Sequence, residues 1–189
     1  VHVVDGKIVT VDHGDAYPRS IVLLKYPGNT SVSGYGCSPT NVLAFPGTPG
    51  ENVTGATVGA FEVSSSSYLI AGNSVKQDEN NLSHKTRNVF VASVDRSSGA
   101  VSFRFVTSHA EGEVSASTPH MVKLSTDRYL LLWSEGETVF YVALDGKGNQ
   151  QGSIRSMSGS LSDCVPVVAN GKITWLVWEK ETITFYDIS

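Results

Sequence analysis

The chain is short of charge. Only 17% of its 189 residues are Asp, Glu, Lys or Arg, against about 25% in ordinary soluble domains. Its 14 basic and 18 acidic residues give a net charge of -4, and the Lys and Arg are scattered. A surface that tracks phosphates needs clustered positive charge, so a nucleic-acid partner is not expected. Cysteine is scarce too. Cys37 and Cys164 fit no C-x-x-C metal or redox pattern. They either form one disulfide in an oxidising compartment or remain two buried thiols. No apolar run approaches the ~20 residues of a membrane-spanning helix, so no membrane span is expected. No signal peptide is visible, and the first residue is Val1 rather than Met, which predicts a processed chain or a fragment. No sustained i, i+3, i+4, i+7 stripe exists, and no H-E-x-x-H, G-x-S-x-G or Walker loop.

What fills the chain is β-branched and aromatic residues in short runs, bounded by Gly, Asn, Asp and Ser. These read as strands and turns. The runs repeat. "TPHMVKLSTDRYLLLWSE" from Thr118, slid back, meets "TVGAFEVSSSSYLIAGN" from Thr57, with Thr118 on Thr57, Leu124 on Val63 and Tyr129 on Tyr68. Slid forward, it meets "VPVVANGKITWLVWEK" from Val165, and with a small gap Trp133 falls on Trp178. "NGKITWLVW" from Asn170 lies over "DGKIVTVDH" from Asp5, which puts His13 at the tryptophan position. Each copy continues through a polar loop into a third strand: "SIVLLKY", "NVFVASVD", "TVFYVALD" and "TITFYDI". The middle two copies then turn at "DRSSGAV" and "DGKGNQ", with Asp opening the turn and Gly inside it, and run into "VSFRFVT" and "SIRSM".

Four short antiparallel strands repeated in this way resemble the blades of a β-propeller. The resemblance covers nearly the whole chain and is to the broad propeller class; no Gly-His…Trp-Asp, kelch or sialidase box is present. It implies an all-β fold of about four blades, with approximate bounds 1–55, 56–112, 113–160 and 161–189. A β-sandwich is the rival architecture. The last copy stops after its third strand. An open half-ring would leave edge strands and an apolar face bare. A second polypeptide, or a further segment, is therefore expected to complete a larger propeller.

Fold resemblance places ligands at the face formed by second-to-third-strand loops and by the loops between blades. That face gathers Asp12, His13, Asp15, Tyr17, Lys76, Asp78, Glu79, His84, Lys85, Arg87, His109, Glu111, Glu113 and Glu135. "DHGDAYPR" from Asp12 is its densest stretch. Asp12 and Asp15 can supply oxygens to Ca²⁺, and His13 can serve a softer metal. The same stretch also reads as a hairpin loop, with Gly14 free in backbone, Pro18 fixing the next strand, and Arg19 paired with Asp15. Trp133 and Trp178 either stack on a ligand or pack between blades. "DGKGN" from Asp145 lacks the alternating acidic ligands of a calcium loop and reads as a turn. The ligand-binding candidates are thus Asp12, His13, Asp15, Tyr17, Arg19, His84, His109, Trp133 and Trp178. No cofactor is expected apart from the Ca²⁺ alternative.

The sequons at Asn29, Asn52 and Asn81 suggest glycosylation and a secreted or cell-surface protein. The expected function is a non-enzymatic extracellular binding module that recognises a glycan or a protein partner. A carbohydrate-directed hydrolase or lyase using dispersed carboxylates, and a structural subunit of a split propeller, are the alternatives.

Overall fold

A computed structural model describes residues 1–14, 20–27, 37–44, 56–75 and 85–189. Among them there is strand and turn but no helix. Fifteen strands form four antiparallel sheets, each built from consecutive strands. The first holds β1 (His2–Val4), β2 (Lys7–Gly14), β3 (Ser20–Tyr26) and β4 (Ser38–Ala44). The second holds β5 (Thr57–Val63), β6 (Ser67–Val75), β7 (Arg87–Asp95) and β8 (Val101–Phe105). The third holds β9 (His120–Ser125), β10 (Arg128–Glu135), β11 (Thr138–Asp145) and β12 (Gln150–Ser158). The fourth has three strands, β13 (Val167–Ala169), β14 (Lys172–Glu179) and β15 (Thr182–Ile188).

Local chemistry explains the repeated turns. Asp5-Gly6 joins β1 to β2 and Asn170-Gly171 joins β13 to β14, and all four residues have positive φ. A two-residue turn with both φ values positive matches the right-handed twist of the strands, and Asn-Gly or Asp-Gly tolerates it best. At the other kind of hairpin the opening aspartate is occupied by the turn. Asp95 Oδ1 accepts from the amides of Ser97 and Ser98, and Asp145 Oδ1 from those of Lys147 and Asn149.

The sheets stack face to face in chain order. Val9, Ile21 and Leu23 of the first pack on Tyr68, Ile70 and Phe90 of the second. Leu69, Val89 and Val91 of the second pack on Tyr129, Leu131 and Trp133 of the third. Leu130, Leu132 and Val139 of the third pack on Ile173, Trp175 and Val177 of the fourth. Alternate residues of one strand therefore serve opposite interfaces. With both faces covered, β6 is buried along its whole length, and "YLLLW" of β10 reads as an unbroken apolar run rather than an alternating one.

Register corrects one feature of the repeat. The turn after β10 and the turn after β14 superpose Glu135 on Glu179, since each faces the threonine that opens the next strand, Thr138 and Thr182. Trp178 then matches Ser134, and Trp133 matches Val177. A one-residue offset puts a side chain on the opposite face of a sheet. Trp133 is accordingly buried, 1% exposed, between the second and third sheets, whereas Trp178 is 71% exposed. The disulfide alternative is also not realised. Cys37 and Cys164 are both free, the first half-buried beside the first sheet and the second exposed ahead of the fourth. Those two sheets stand at opposite ends of the run of apolar clusters.

Candidate functional site

The connection from β8 to β9 is the longest fully described one, and it is stitched to both neighbouring sheets. Buried Asn88 of β7 does much of this. Its Oδ1 accepts from the His109 amide at 2.6 Å and from Thr107 Oγ1 at 3.1 Å, and its Nδ2 donates to the His109 carbonyl at 3.3 Å. The Val89 amide donates to Thr107 Oγ1 at 2.9 Å. Further along, Glu111 accepts the amides of Lys85 and Thr86, and the Gly112 amide donates to Thr86 Oγ1. Ser117 exchanges hydrogen bonds with Ser134 of β10, its Oγ accepting at 2.9 Å. Buried Asn73 of β6 donates to the Ala116 carbonyl at 2.9 Å and accepts from Thr57 Oγ1 at 2.6 Å. Buried polar groups paired this fully rigidify a segment, because breaking any pair leaves a group unsatisfied.

This stitching builds two adjoining features. One is an array around Glu135. Its Oε1 accepts from Trp133 Nε1 at 2.8 Å and meets His109 Nε2 at 2.8 Å. The other ring nitrogen of His109 lies 3.7 Å from Glu113 Oε2. His109 is thus held between two carboxylates, partly shielded from solvent. The other feature is a cleft of about 530 Å³ lined by Asn73, Arg87, Ser115, Ser117, Ser162 and Asp163, among others. Ser117 connects the two, since it bonds to the residue preceding Glu135. The cleft lining is mostly polar, with hydroxyls, an amide, one guanidinium and one carboxylate, and Ala116 and Leu161 add apolar surface. His120, buried just behind it, uses Nε2 to donate to the Ser162 carbonyl at 2.8 Å. Its Nδ1 has no hydrogen-bond partner among the described residues.

The residues expected at the binding face fall into three groups. Lys85, Arg87, His109, Glu111, Glu113 and Glu135 are brought to one end of the second and third sheets. Asp12 and His13 close β2 and are exposed, with Asp12 Oδ1 accepting from the His13 amide at 2.8 Å. Asp15, Tyr17, Arg19, Lys76, Asp78, Glu79, His84 and the sequon residues Asn29, Asn52 and Asn81 lie outside the described residues. The two tryptophans part company. Trp133 stacks on Phe140 with ring centroids 5.8 Å apart and gives its one donor to Glu135, so it supports the array from within the core. Trp178 stands on the outward face of the fourth sheet. Among the described residues no cluster of three or more His, Cys, Asp or Glu side chains is arranged to hold a metal ion.

Asn73, Ser115, Ser117 and Ser162 were not singled out by sequence, and neither was Asn88. Asn73 and Asn88 did leave a signal, because Asn is a poor strand former and both interrupt runs of strand formers, "YLIAGNSV" and "RNVFVASV". The serines left none.

Compared with protein-family models, with curated proteins and with solved structures, the chain matches none.

Proposed function

We propose that this chain is a β-propeller module whose loop-rich face binds a glycan without turning it over. Four consecutive antiparallel meanders, stacked in chain order, support the propeller reading. So does the contact of first strands with first strands, β5 with β9 and β9 with β13, and of fourth with fourth, β4 with β8. In a ring of blades the first strands line the axis and the fourth strands the rim.

The observation that carries the ligand reading is the lining of the cleft. Side-chain hydroxyls and an amide held by a rigid backbone suit a ligand that is itself a dense array of hydroxyls. A few fixed polar groups then set orientation and specificity. Arg87 and Asp163 add one charge of each sign, which suits sugars carrying a carboxylate or an amine as well as neutral ones. Such a role agrees with the sequons and with a secreted or cell-surface setting. A glycan array probed with the purified chain tests the reading. Binding to a defined set of sugars, lost in Arg87→Ala and Asp163→Ala, is expected. An empty array, or binding indifferent to both substitutions, would overturn it.

The second reading is a hydrolase or lyase, favoured by one observation. His109 between Glu113 and Glu135 is a set of groups able to take and return a proton. Turnover of a glycoside or uronide panel, abolished in His109→Ala, would replace the binding reading with this one.

A further inference from the structure

The polar side chains of the cleft divide into donors and acceptors. Thr57 Oγ1 donates to Asn73 Oδ1 at 2.6 Å, which spends its one proton. The 3.0 Å bond between the Thr57 and Thr118 hydroxyls therefore runs from Thr118 to Thr57. Ser117 Oγ donates to the Thr118 carbonyl at 3.3 Å, and Ser162 Oγ to the Leu176 carbonyl at 2.6 Å. Toward a ligand, the hydroxyls of Ser117, Thr118 and Ser162 have only lone pairs left. Buried Asn73 uses both ends of its amide inside the chain, the Nδ2 end on the Ala116 carbonyl.

Donors remain at one place. Ser115 Oγ accepts the Arg87 amide at 3.0 Å, and its own proton has no acceptor among the described residues. The Arg87 carbonyl accepts the Ala116 amide at 3.0 Å, so two bonds clasp Arg87 to the segment that carries Ser115. The half-buried Arg87 guanidinium makes no hydrogen bond or ion pair among the described residues. The neighbouring carboxylates are engaged elsewhere. Glu111 accepts the Lys85 and Thr86 amides, Glu113 the Ala110 amide, and Glu135 the Trp133 indole. Asp163 lines the cleft with Arg87 but is exposed and forms no ion pair with it.

We propose that the cleft selects acidic sugars, with Arg87 and Ser115 together binding the ligand's carboxylate. This rests on the glycan reading and narrows it. A carboxylate is acceptor-only, and its two oxygens match the planar fork of a guanidinium. The ring hydroxyls of the same sugar donate to Ser117, Thr118, Ser162 and Asp163, where the cleft offers lone pairs. A neutral sugar leaves most of the guanidinium unmatched. An amino sugar brings a second cation to Arg87. Partial burial shields the Arg87–carboxylate pair from salt, whereas the charge of exposed Asp163 is screened. Asp163 thus takes hydroxyl protons without cancelling the attraction of Arg87 for an anion.

The test is isothermal titration of the full chain with oligosaccharides ended by glucuronate, galacturonate or sialate. Each is paired with its carboxyl-reduced form, in which a hydroxymethyl group replaces the carboxylate. At least one acid is expected to bind about tenfold or more tighter than its reduced partner, the scale of a lost charged hydrogen bond. The gap closes in Arg87→Gln. It narrows in Ser115→Ala and in Arg87→Lys, which keeps the charge and loses the fork. The reduced sugars make the comparison on the unaltered chain, so a variant that fails to fold does not remove the test. Reduced sugars binding as tightly as the acids would overturn the proposal and leave the glycan reading standing. O-sulfated neutral sugars equalling the acids would overturn it in favour of a general anion site. Displacement of the acid by sodium acetate at matched concentration would do so by leaving the sugar no part. Binding of no sugar at all, acidic or neutral, would defeat the glycan reading and this inference with it.

Discussion

The indole of Trp133 and the imidazole of His109 meet on one oxygen, Glu135 Oε1, each nitrogen 2.8 Å away. One ring belongs to the core between the second and third sheets and the other to the connection above it. The carboxylate therefore ties surface chemistry to inter-sheet packing. Glu135→Ala leaves the buried indole N–H without its acceptor and frees His109 from its fixed orientation. We expect a loss of about 1–3 kcal/mol in urea unfolding, together with weaker ligand binding. Trp133→Phe removes the same donor while keeping most of the packing, and is expected to cost less in unfolding than the ~3–5 kcal/mol of Trp133→Ala.

Gly59 marks a close approach between sheets. A Cβ built there would meet the Pro119 carbonyl oxygen, and would lie 2.7 Å from Thr118 Cγ2. Gly59 sits at the irregularity in the pairing of β5 with β6, where the first strands of the second and third sheets pass each other. Pro119 is backbone and cannot rotate aside. Gly59→Ala is expected to destabilise the chain by about 1–3 kcal/mol through overpacking. It should also widen the neighbouring cleft, because Thr118 helps to line it. Chemical denaturation of the variant checks the first effect and ligand titration the second.

Asp127 clamps the second sheet to the third at the end opposite the cleft. It accepts from the amide of Ser65 at 2.9 Å and from its hydroxyl at 2.9 Å and 2.8 Å. These bonds, the backbone one foremost, hold its carboxyl below the ordinary value of 3.8. A carboxyl lowered in the folded state binds protons more readily in the unfolded one. The stability it confers is full above the ordinary value and is lost as pH falls below it. Asp127→Asn should therefore flatten the acid limb of a melting-temperature profile below about pH 4.

Tyr129 behaves in the opposite sense. Burial, with the nearby Glu62 and Asp127 carboxylates adding to it, pushes its phenol up to about 12. Its hydroxyl lies 2.9 Å from the Val63 carbonyl and 3.0 Å from that of Thr126, and the neutral form is the one that donates. A group raised in the folded state confers stability that is full below its ordinary value of 10.0 and is lost as pH rises toward 12. Tyr129→Phe is expected to unfold more easily at neutral pH and to show a shallower loss of stability from pH 10 upward.

The sheets were largely legible because their signals are local. "DGKI" and "NGKI" align since a turn with two positive φ values admits few dipeptides, and the third strands align since each is a run of strand formers between turns. The site was legible only as a list of neighbours. His109 and Glu135 are 26 residues apart, and nothing in their local sequence says they touch. Asn88 and Asn73 create the contact by fixing backbone from below. The tryptophan alignment failed for a simple reason. A degenerate repeat tolerates a one-residue gap in sequence, whereas a sheet converts it into the opposite face.

The cleft lined by Arg87, Ser115, Ser117 and Asp163 carries the proposed function. Isothermal titration of the intact chain and of Arg87→Ala with the best sugar from the glycan array tests it most directly. Saturable binding by the intact chain, weakened about tenfold or more in the variant by loss of a charged hydrogen-bond donor, is the predicted result. Equal affinities in the two proteins, both folded by thermal melt, would contradict it.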